Sequence, residues 1–359
     1  MSEKKIALLY QALPPPMIDG LRKDGKPGGY SDGGADIAFT LKQHHRSVVT
    51  PTVHPAAEVP FDWVFPDTEE GIKAALKAGA THFWLNTVLF EGHPIEKVPA
   101  NIYKIGQTPK AMQRFDDKFI TNKLLLQHGL PVAQSYLVGQ KVVHAGILSL
   151  ADLQSKIDKA EMVFPLVVKP VRGRGSQGVS VVHDFKHLQL TIEQLQQGQK
   201  FGSYFMVEEL LEGKEITLTI MPPVSGSERW KAQSHYWALR PVHRFNQTDY
   251  IAPYNGDIPV TENSAAISIP ELQTPEMQVI VKACVKAAEI VEARAPIRID
   301  CRANKEGIFK IFDLNMKPNM TGAGRPGREK QDCLSMISIR AEGWAFIDLL
   351  DMMVASAWR

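Results

Sequence analysis

The sequence contains little cysteine. Only three of its 359 residues are cysteines, at positions 284, 301 and 333. They are too few for a disulfide framework and too widely spaced for a zinc site. We interpret them as reduced, partly buried thiols. A secreted domain held together by disulfides is therefore disfavoured.

Two further features are absent: a charge excess of one sign and a long hydrophobic run. The 41 lysines and arginines against 39 aspartates and glutamates give a formal net charge of +2, so no overall charge points to nucleic acid or to a membrane surface. No apolar run approaches the roughly 18–20 residues that a membrane span needs, and the apolar stretch 6–10 is too short for a signal peptide. We expect a cytoplasmic protein with no nucleic-acid or membrane partner.

What the sequence does contain is material for a sizeable core, with 44% hydrophobic and 22% charged residues, which is typical of globular chains. At roughly 100–200 residues per domain, the length predicts two or three domains. Over the first hundred residues, short apolar runs alternate with amphipathic segments, which indicates a parallel α/β lobe. The predicted strands there are 6–10, 47–52 and 81–89, and the predicted helices are 35–45 and 68–78.

The pattern changes around residues 105–109. From there the predicted elements are a long helix (110–127), a strand (131–138), a capped helix (149–159), strands at 163–169 and 215–221, a helix (275–293), an antiparallel pair (297–301 and 308–314) and a final helix (347–358). We therefore divide the chain into an N-terminal α/β lobe (1–108), a central lobe (109–212) and a C-terminal lobe (213–359).

A glycine-rich loop follows the predicted strand that ends at Lys169. Gly173, Gly175 and Gly178 fit the pattern G-x-G-x-x-G of dinucleotide-binding proteins, but that fingerprint requires a helix after the loop. Residues 179–182 are rich in valine and favour a strand instead. A strand–loop–strand flap can fold over phosphates with its backbone N–H groups, and the Lys169 ammonium can neutralise them. An ordinary glycine hairpin with solvated arginines is the alternative.

A short connector between two predicted strands comes next, at residues 207–215. Its backbone carbonyl and N–H groups, around Glu208, Glu209 and Leu211, can recognise adenine, and the Glu215 carboxylate can accept hydrogen bonds from ribose hydroxyls. An acidic surface turn would have the same sequence character, and it is the alternative.

The predicted hairpin at 297–314 carries a polar face. Arg298 and Asp300 are two residues apart on one strand, and Asp313 and Asn315 are two apart on the next, so each pair faces one side. Oxygen ligands of this kind suit Mg²⁺, which is usually held by one or two carboxylates together with substrate phosphates. A solvated polar hairpin face is the alternative.

Taken in this order, the glycine flap, the connector and the polar hairpin resemble the ATP-grasp superfamily, and within it the D-alanine–D-alanine ligase type. The resemblance runs from residue 6 to about residue 328 and is more specific in the second half. It implies an α/β, ATP-grasp fold, in which an N-terminal α/β (pre-ATP-grasp) lobe is followed by two α+β lobes that enclose ATP.

The resemblance also implies roles for individual residues. The segment from 115 to 132 looks like the one that opens the ATP-binding part of these ligases. Arg298 matches the arginine that steadies the transition-state oxyanion, and Lys169 is the second residue with an implied catalytic role. The implied magnesium ligands, with Mn²⁺ as an alternative ion, are Asp300, Asp313 and Asn315. The implied ATP-binding residues are Lys118, Lys169, Gly175, Ser176, Gln177, Gly178, Glu208, Glu209, Leu211 and Glu215.

Two flanking loops supply the predicted substrate residues. Residues 28–34 lead into a helix, as the amine-side substrate loop of the family does, and Asp32 or Asp36 could bind a substrate ammonium, with a helix cap as the alternative. Guanidinium groups of Arg325 and Arg328 could hold a substrate carboxylate. A basic surface loop is the alternative there.

The chain departs from the family pattern where substrates are selected. Asp313 stands where the second metal carboxylate is usually Glu, and Asn319 follows Pro318 where the family usually has glycine. The flap is one residue longer and carries Arg172 and Arg174. The third lysine on the nucleotide side has no clear counterpart. The resemblance therefore leaves both substrates unnamed.

The predicted function is that of an ATP-dependent ligase. It joins a small carboxylate, such as an amino acid, to an amine through an acyl phosphate, and releases ADP and phosphate. A small-molecule kinase and a nucleotide-binding protein without chemistry are the alternatives, and a thiol or hydroxyl acceptor is also open. Relatives of this type are often dimers, so a homodimer is part of the expectation.

Overall fold

The computed structural model of this chain describes residues 3–18, 21–23, 25–139, 146–159, 161–173, 175–198, 200–247, 250–251 and 259–359. Within these ranges the strands form three sheets, of five, five and six strands, together with a two-stranded ribbon. The three sheets follow one another along the chain and lie in successive lobes. The mixed α/β class predicted from the sequence is thereby confirmed.

The N-terminal lobe is built on a parallel sheet. Its elements are β1 (Ile6–Tyr10), β2 (Met17–Ile18), β3 (Leu21–Arg22), α1 (Ser31–Gln43), β4 (Val48–Val49), β5 (Phe65–Pro66), α2 (Glu69–Lys77), β6 (His82–Asn86) and β7 (Tyr103–Ile105). The sheet order is β4-β1-β6-β7, and β5 also pairs with β1. Strand β1 lies at the centre because its residues 6–9 are apolar and almost fully buried, as both faces of a parallel sheet require.

The predicted start of the first helix at residue 35 is wrong, because α1 begins at Ser31. The sequence hides this start because two glycines lie in the first turn, where glycine is a poor helix former. The absence of a side chain at both positions is needed for packing. A Cβ on Gly33 would lie 2.6 Å from Thr321 Cγ2, and one on Gly34 would lie 2.8 Å from Val64 Cγ1.

The central lobe carries an antiparallel sheet with one parallel pair at its edge. Its elements are α3 (Pro109–Phe115), α4 (Lys118–Gln127), β8 (Ser135–Gly139), β9 (Ile147–Leu148), α5 (Leu150–Asp158), β10 (Leu166–Pro170), β11 (Ser180–Val182), α6 (Phe185–Gln197) and β12 (Tyr204–Glu209). The strand order is β11-β10-β12-β8-β9. Strand β11 follows the glycine loop, so the strand–loop–strand prediction is confirmed.

The single helix predicted over 110–127 is wrong, because two helices occupy this segment. Helix α3 ends at Phe115, and α4 begins at Lys118 after Asp117 as its N-cap. The Asp117 carboxylate accepts a hydrogen bond from the Ile120 N–H at 2.8 Å, which is the bond that starts a new helix. The break places Lys118 at the N-terminus of α4.

The C-terminal lobe has an antiparallel sheet covered by helices. Its elements are β13 (Glu215–Met221), β14 (Trp237–Ala238), β15 (Val242–Arg244), β16 (Ser264–Ala266), α7 (Ile269–Leu272), α8 (Pro275–Ile290), β17 (Ile297–Ala303), β18 (Phe309–Asn315), α9 (Leu334–Ala341) and α10 (Phe346–Ala355). The order is β16-β15-β13-β17-β18, with β14 also on β13. The predicted antiparallel pair is present as β17 and β18. In the part of the chain that the structure describes, no helix has the length and apolarity needed to cross a membrane.

The apolar cores do not coincide with the three lobes. One core joins α1 and β1 of the N-terminal lobe to α9 and α10 of the C-terminal lobe, through residues such as Ile37, Leu41, Ile339 and Leu349. The central lobe has a core of its own, around Phe205. The segment 109–132 packs on the C-terminal core. The lobe boundaries at 108 and 212 remain predictions.

The edge of the first sheet is covered by a distant part of the chain. Lys104 on β7 donates its N–H to the Trp358 carbonyl at 2.7 Å, and Trp358 returns the bond at 3.0 Å. The Trp358 indole N–H also donates to the Gly106 carbonyl at 2.7 Å. The N-terminal sheet is therefore completed by residues beyond α10.

Candidate active site

The polar hairpin predicted from the sequence is formed by β17 and β18, which we call the carboxylate hairpin. Asp300 is the cross-strand partner of Asp313, and Arg298 is the partner of Asn315. Residues directly opposite one another in an antiparallel pair share one face of the sheet. The structure therefore brings all four predicted residues together on one face.

Two cations contact the carboxylates of this hairpin. The Lys118 ammonium donates to Asp313 Oδ1 at 2.7 Å, and the Arg298 guanidinium donates to both oxygens of Asp300 at 3.2 Å. The Thr217 hydroxyl also donates to Asp300. Burial acts to raise the pKa of Asp313, but the charges of Lys118, Lys169 and Arg298 outweigh it, so this pKa lies below its usual value. Asp313 is an anion at neutral pH.

The residues of the carboxylate hairpin fit a magnesium ion. Magnesium prefers oxygen ligands and keeps several waters and substrate oxygens in its shell. Asp300 and Asp313 offer carboxylate oxygens, and Asn315 offers an amide oxygen that also accepts the Lys317 N–H at 2.9 Å. Among the described residues, no three His, Cys, Asp or Glu side chains gather into a metal-binding group. The donor set thus suits a hard cation shared with phosphate rather than a closed site such as that of zinc.

Lys169 links the central sheet to this hairpin. It lies next to the last residue of β10 and is 5% exposed. Its ammonium donates to Glu208 Oε1 at 2.7 Å and to the Phe312 carbonyl at 2.9 Å. Asn122 donates to the other oxygen of Glu208 at 3.3 Å. Burial raises the pKa of Glu208 to about 7, and Lys169 offsets only part of that rise. Two amines, of the partly buried Lys118 and the buried Lys169, therefore reach the carboxylate hairpin.

The glycine flap has the backbone that its sequence predicts. Gly175, Ser176 and Gly178 have φ angles of 55°, 58° and 73°, in the left-handed region that favours glycine. A Cβ on Gly178 would lie 2.8 Å from Pro170 Cγ. Gln177 is at the exposed tip. A side chain at Gly175 or Gly178 would therefore be strained.

The base of the flap is tied to the helix break at residues 116–117. The Arg172 guanidinium lies 3.3 Å from the Asp117 carboxylate and donates to the Gln113 carbonyl at 3.3 Å. Arg174, the second flap arginine of the sequence analysis, lies outside the described residues. The helix break at residues 116–117 therefore holds the base of the flap and also positions Lys118, the first residue of α4.

The predicted adenine connector lies between β12 and β13. The Glu209 carboxylate is held by Lys310 at 2.6 Å and by the Gln134 N–H at 2.6 Å, so it is the backbone of Glu209 that could face a base. The Glu215 carboxylate is buried and accepts from Arg302 and from Gln247. A cavity of about 420 Å³ adjoins it, lined by Glu212, Gly213, Lys214, Glu215, His243, Arg244, Phe245, Asn246, Gln247 and Tyr250.

The four predicted substrate residues also meet, but they pair with one another. Asp36 is fully buried and accepts from Arg325 Nε at 2.7 Å and from Arg328 Nε at 2.9 Å. Asp32 is 62% exposed and lies 3.7 Å from Arg325 and 3.8 Å from Arg328. We call these four residues the Asp36 staple. In this structure the staple joins α1 to the loop after the carboxylate hairpin, and a substrate role for its members remains a prediction.

Sequence reasoning missed two groups beside the site. Lys317 lies 3.4 Å from the centre of the Tyr30 ring and donates to Asn86 at 3.4 Å, which brings together three distant parts of the chain that no local pattern links. Arg302 could have been found, because it continues the alternation of Arg298 and Asp300 along β17.

The known proteins to which this chain is similar are named as ligases. A family model described as "D-ala D-ala ligase C-terminus" matches residues 124–355. The D-alanine–D-alanine ligase of Francisella philomiragia is 25% identical over 252 residues, which cover 70% of this chain and 70% of that protein. The ligase of the same name from Actinobacillus succinogenes is 29% identical over 205 residues, covering 57% of this chain and 59% of that protein.

Solved structures show the same fold. The D-alanine–D-alanine ligase from Bacillus anthracis superposes with a TM-score of 0.64 at 18% identity, covering 99% of this chain and 97% of that one. The structure of that ligase complexed with ATP gives a TM-score of 0.61 at 17% identity, with coverage of 98% and 96%. At these identities the likeness concerns the fold, and it confirms the predicted ATP-grasp architecture.

Proposed function

This chain belongs to the D-ala D-ala ligase C-terminus family, and from that premise we propose that it is an ATP-dependent ligase that joins a carboxylate to an amine. The observation that carries the proposal is the meeting of Lys118 and Lys169 from the central lobe with Asp300 and Asp313 on the carboxylate hairpin. Such a set of amines and oxygen ligands is what transfer of a phosphoryl group requires.

Each residue has a defined task in this reaction. Lys118 and Lys169 would neutralise phosphate oxygens, and the glycine flap would cover them and exclude water. Asp300, Asp313 and Asn315 would hold magnesium, which when bound adds positive charge beside the phosphates. Arg298 would stabilise the oxyanion that forms when an amine attacks the activated carboxyl carbon.

The proposed chemistry has two steps. A substrate carboxylate attacks the γ-phosphate of ATP, which gives an acyl phosphate and ADP. The amine then attacks the acyl carbon, and phosphate leaves with one oxygen of the original carboxylate. A bound nucleotide fits the family, since a structure of similar fold contains ATP.

The proposal names the substrates by class only. The relatives are named as D-alanine–D-alanine ligases, and one solved structure of similar fold is a D-Ala:D-Ser ligase. We propose a small amino acid or carboxylic acid as donor and a small amine as acceptor. The three buried thiols form no disulfide, which fits the reducing cytoplasm, where we propose that the enzyme works. We also propose that it is a homodimer, which light scattering would detect.

An isotope experiment tests the reaction type. The enzyme is first screened with pairs of amino acids and small acids in the presence of Mg-ATP, and phosphate release is measured. With the active pair, oxygen-18 placed in the substrate carboxylate should appear in the released phosphate, with one ADP per amide bond. Release of AMP, or of unlabelled phosphate, would exclude the acyl-phosphate route. Phosphorylated substrate that accumulates without an amine would instead identify a kinase.

A further inference from the structure

Arg302 lies on the same face of β17 as the two predicted site residues before it. Arg298, Asp300 and Arg302 alternate along the strand, so their side chains emerge on one side. Arg302 is also the cross-strand partner of Glu215 on β13. The arginine is 6% exposed and Glu215 is 2% exposed. A guanidinium and the predicted ribose carboxylate are thus buried side by side.

The guanidinium of Arg302 contacts three separate segments of the chain beside the cavity that adjoins Glu215. One terminal nitrogen, Nη2, donates to Glu215 Oε2. The other, Nη1, donates to the Tyr250 carbonyl at 2.6 Å and to the Leu211 carbonyl of the adenine connector at 3.4 Å. Its planar fork has a fixed geometry, so these contacts hold the three acceptors in one relative position.

Gln247 reinforces this arrangement from another segment. Its amide donates at 2.7 Å to the same oxygen, Glu215 Oε2. Two donors on a single oxygen fix the rotation of the carboxylate about its last bond. Arg302 and Gln247 therefore constrain the direction in which Oε1 faces, and hydrogen bonds to a sugar hydroxyl depend on that direction.

From these contacts we infer that Arg302 is a positioning residue for nucleotide recognition, which orients Glu215 toward the ribose hydroxyls and fixes the adenine connector. The inference rests on the proposed function, because it assumes that ATP occupies the pocket beside Glu215. A site built to bind a hydroxyl rejects an analogue that lacks it. Arg302 thereby sets the preference for ATP over 2′-deoxy-ATP.

The test compares Arg302→Met with Arg46→Met. Arg46 is the control because it also forms a two-point pair, with Asp351 on α10 at 2.8 and 2.6 Å, away from the cavity beside Glu215. Kd values for ATP and 2′-deoxy-ATP are measured by titration, and kcat and KM with the active substrate pair. In Arg302→Met we expect KM for ATP to rise about tenfold with a much smaller change in kcat, and the preference for ATP over 2′-deoxy-ATP to fall at least about fivefold.

A second variant separates positioning from folding. Breaking a buried pair is destabilising, so Arg302→Lys, which keeps the charge but loses the fork, is measured alongside, with thermal unfolding of each variant. Arg302→Lys should retain ATP binding better than Arg302→Met and still lose preference for the ribose. If a folded Arg302 variant keeps the preference for ATP over 2′-deoxy-ATP, the inference is wrong and the proposed function is unaffected. Failure of the wild-type enzyme to bind either nucleotide overturns the inference and the proposed function together.

Discussion

The C-terminal lobe contacts its two neighbours in different ways. Toward the N-terminal lobe it shares one apolar core, in which α9 and α10 pack on α1, and it adds the buried Asp36 staple. The central sheet reaches it largely through polar groups. Lys169 on β10 contacts the Phe312 carbonyl, and Glu209 on β12 contacts Lys310.

This difference separates a permanent contact from an exchangeable one. Burial of apolar surface stabilises a contact by about 25 cal/mol per Å². When the contact opens, that surface returns to water and no other interaction replaces the lost energy. An ammonium that leaves a carboxylate can bind a phosphate oxygen instead, at small net cost. The N-terminal and C-terminal lobes therefore form one body, on which segment 109–132 also packs. The contact with the central sheet is the one that a nucleotide can reorganise.

The largest expected effect is on the permanent contact. Asp36→Asn leaves the buried Arg325 without its carboxylate, and removal of one partner of a buried ion pair costs about 3–5 kcal/mol. Urea unfolding measures the loss. The control is Asp32→Asn in the same staple, which is exposed and should cost less than about 1 kcal/mol. Equal stability of both variants would show that the staple does not hold the lobes together.

A smaller effect, on turnover, is expected on the carboxylate hairpin beside the exchangeable contact, where Lys169 contacts the Phe312 carbonyl. Asp313→Asn keeps the shape of the side chain but removes the charge that Lys118 and magnesium require. Turnover should fall by about 100-fold or more, as measured by phosphate release. Asp158→Asn, at an exposed carboxylate on α5, is the control. Near-full activity of Asp313→Asn would remove this residue from the metal site.

Substitution of a flap glycine should change KM for ATP by about one order of magnitude. In Gly178→Val the new side chain meets Pro170 and the Phe201 ring, 2.8 and 3.0 Å from the Cβ position, at a φ that valine avoids. We expect KM for ATP to rise about tenfold while KM for the other substrates changes little. Gly307→Val, at a hairpin turn with open space around it, is the control for positive φ alone. If the two variants behave alike, the flap does not contact ATP.

The smallest effect concerns pH and the buried Glu208. Its pKa rises from 4.5 to about 7 on folding, so the folded protein binds this proton more tightly than the unfolded chain does. The resulting stabilisation is complete below pH 4.5 and is lost as the pH rises to about 7. Unfolding free energies over this range, relative to Glu208→Gln, should therefore decline with rising pH.

The exposed carboxylate of Glu161 is a reference, because its contribution to stability changes with pH in the opposite direction. A hydrogen bond from Lys156 lowers the pKa of Glu161, so its contribution is present above its usual pKa of 4.5 and is lost as the pH falls. Relative to Glu161→Gln, the wild-type protein should lose stability toward acid. A flat difference between wild type and Glu208→Gln would mean that Lys169 cancels the effect of burial.

Local sequence patterns predicted the parts of the site that lie within one hairpin. The alternation of Arg298 and Asp300, and of Asp313 and Asn315, follows from the two-residue period of a strand, and the register of β17 and β18 brings the pairs together. The glycine flap was predictable for a similar reason, because glycines mark positions with positive φ. Both inferences need only neighbours along the chain.

Contacts between lobes were not predictable in the same way. That Asp36 binds both Arg325 and Arg328 depends on how α1 packs on the C-terminal lobe, and nothing near Asp36 in the sequence encodes it. The break before Lys118 could have been anticipated, since Asp116 and Asp117 interrupt the apolar periodicity and aspartate favours N-caps. Helix propensity predicts too late a start for α1, because glycine is a poor helix former. The two glycines are there because the packing around the start of α1 leaves no room for a side chain.

The pairing of Lys104 with Trp358 has a consequence for how the chain folds. Strand β7 belongs to the first sheet to be synthesised, yet the backbone that covers its edge is made only after the central and C-terminal lobes. Until then the edge is open to pairing with another chain. Contacts so distant in sequence also form slowly. The N-terminal lobe therefore depends on late-made segments to protect it from aggregation during biosynthesis.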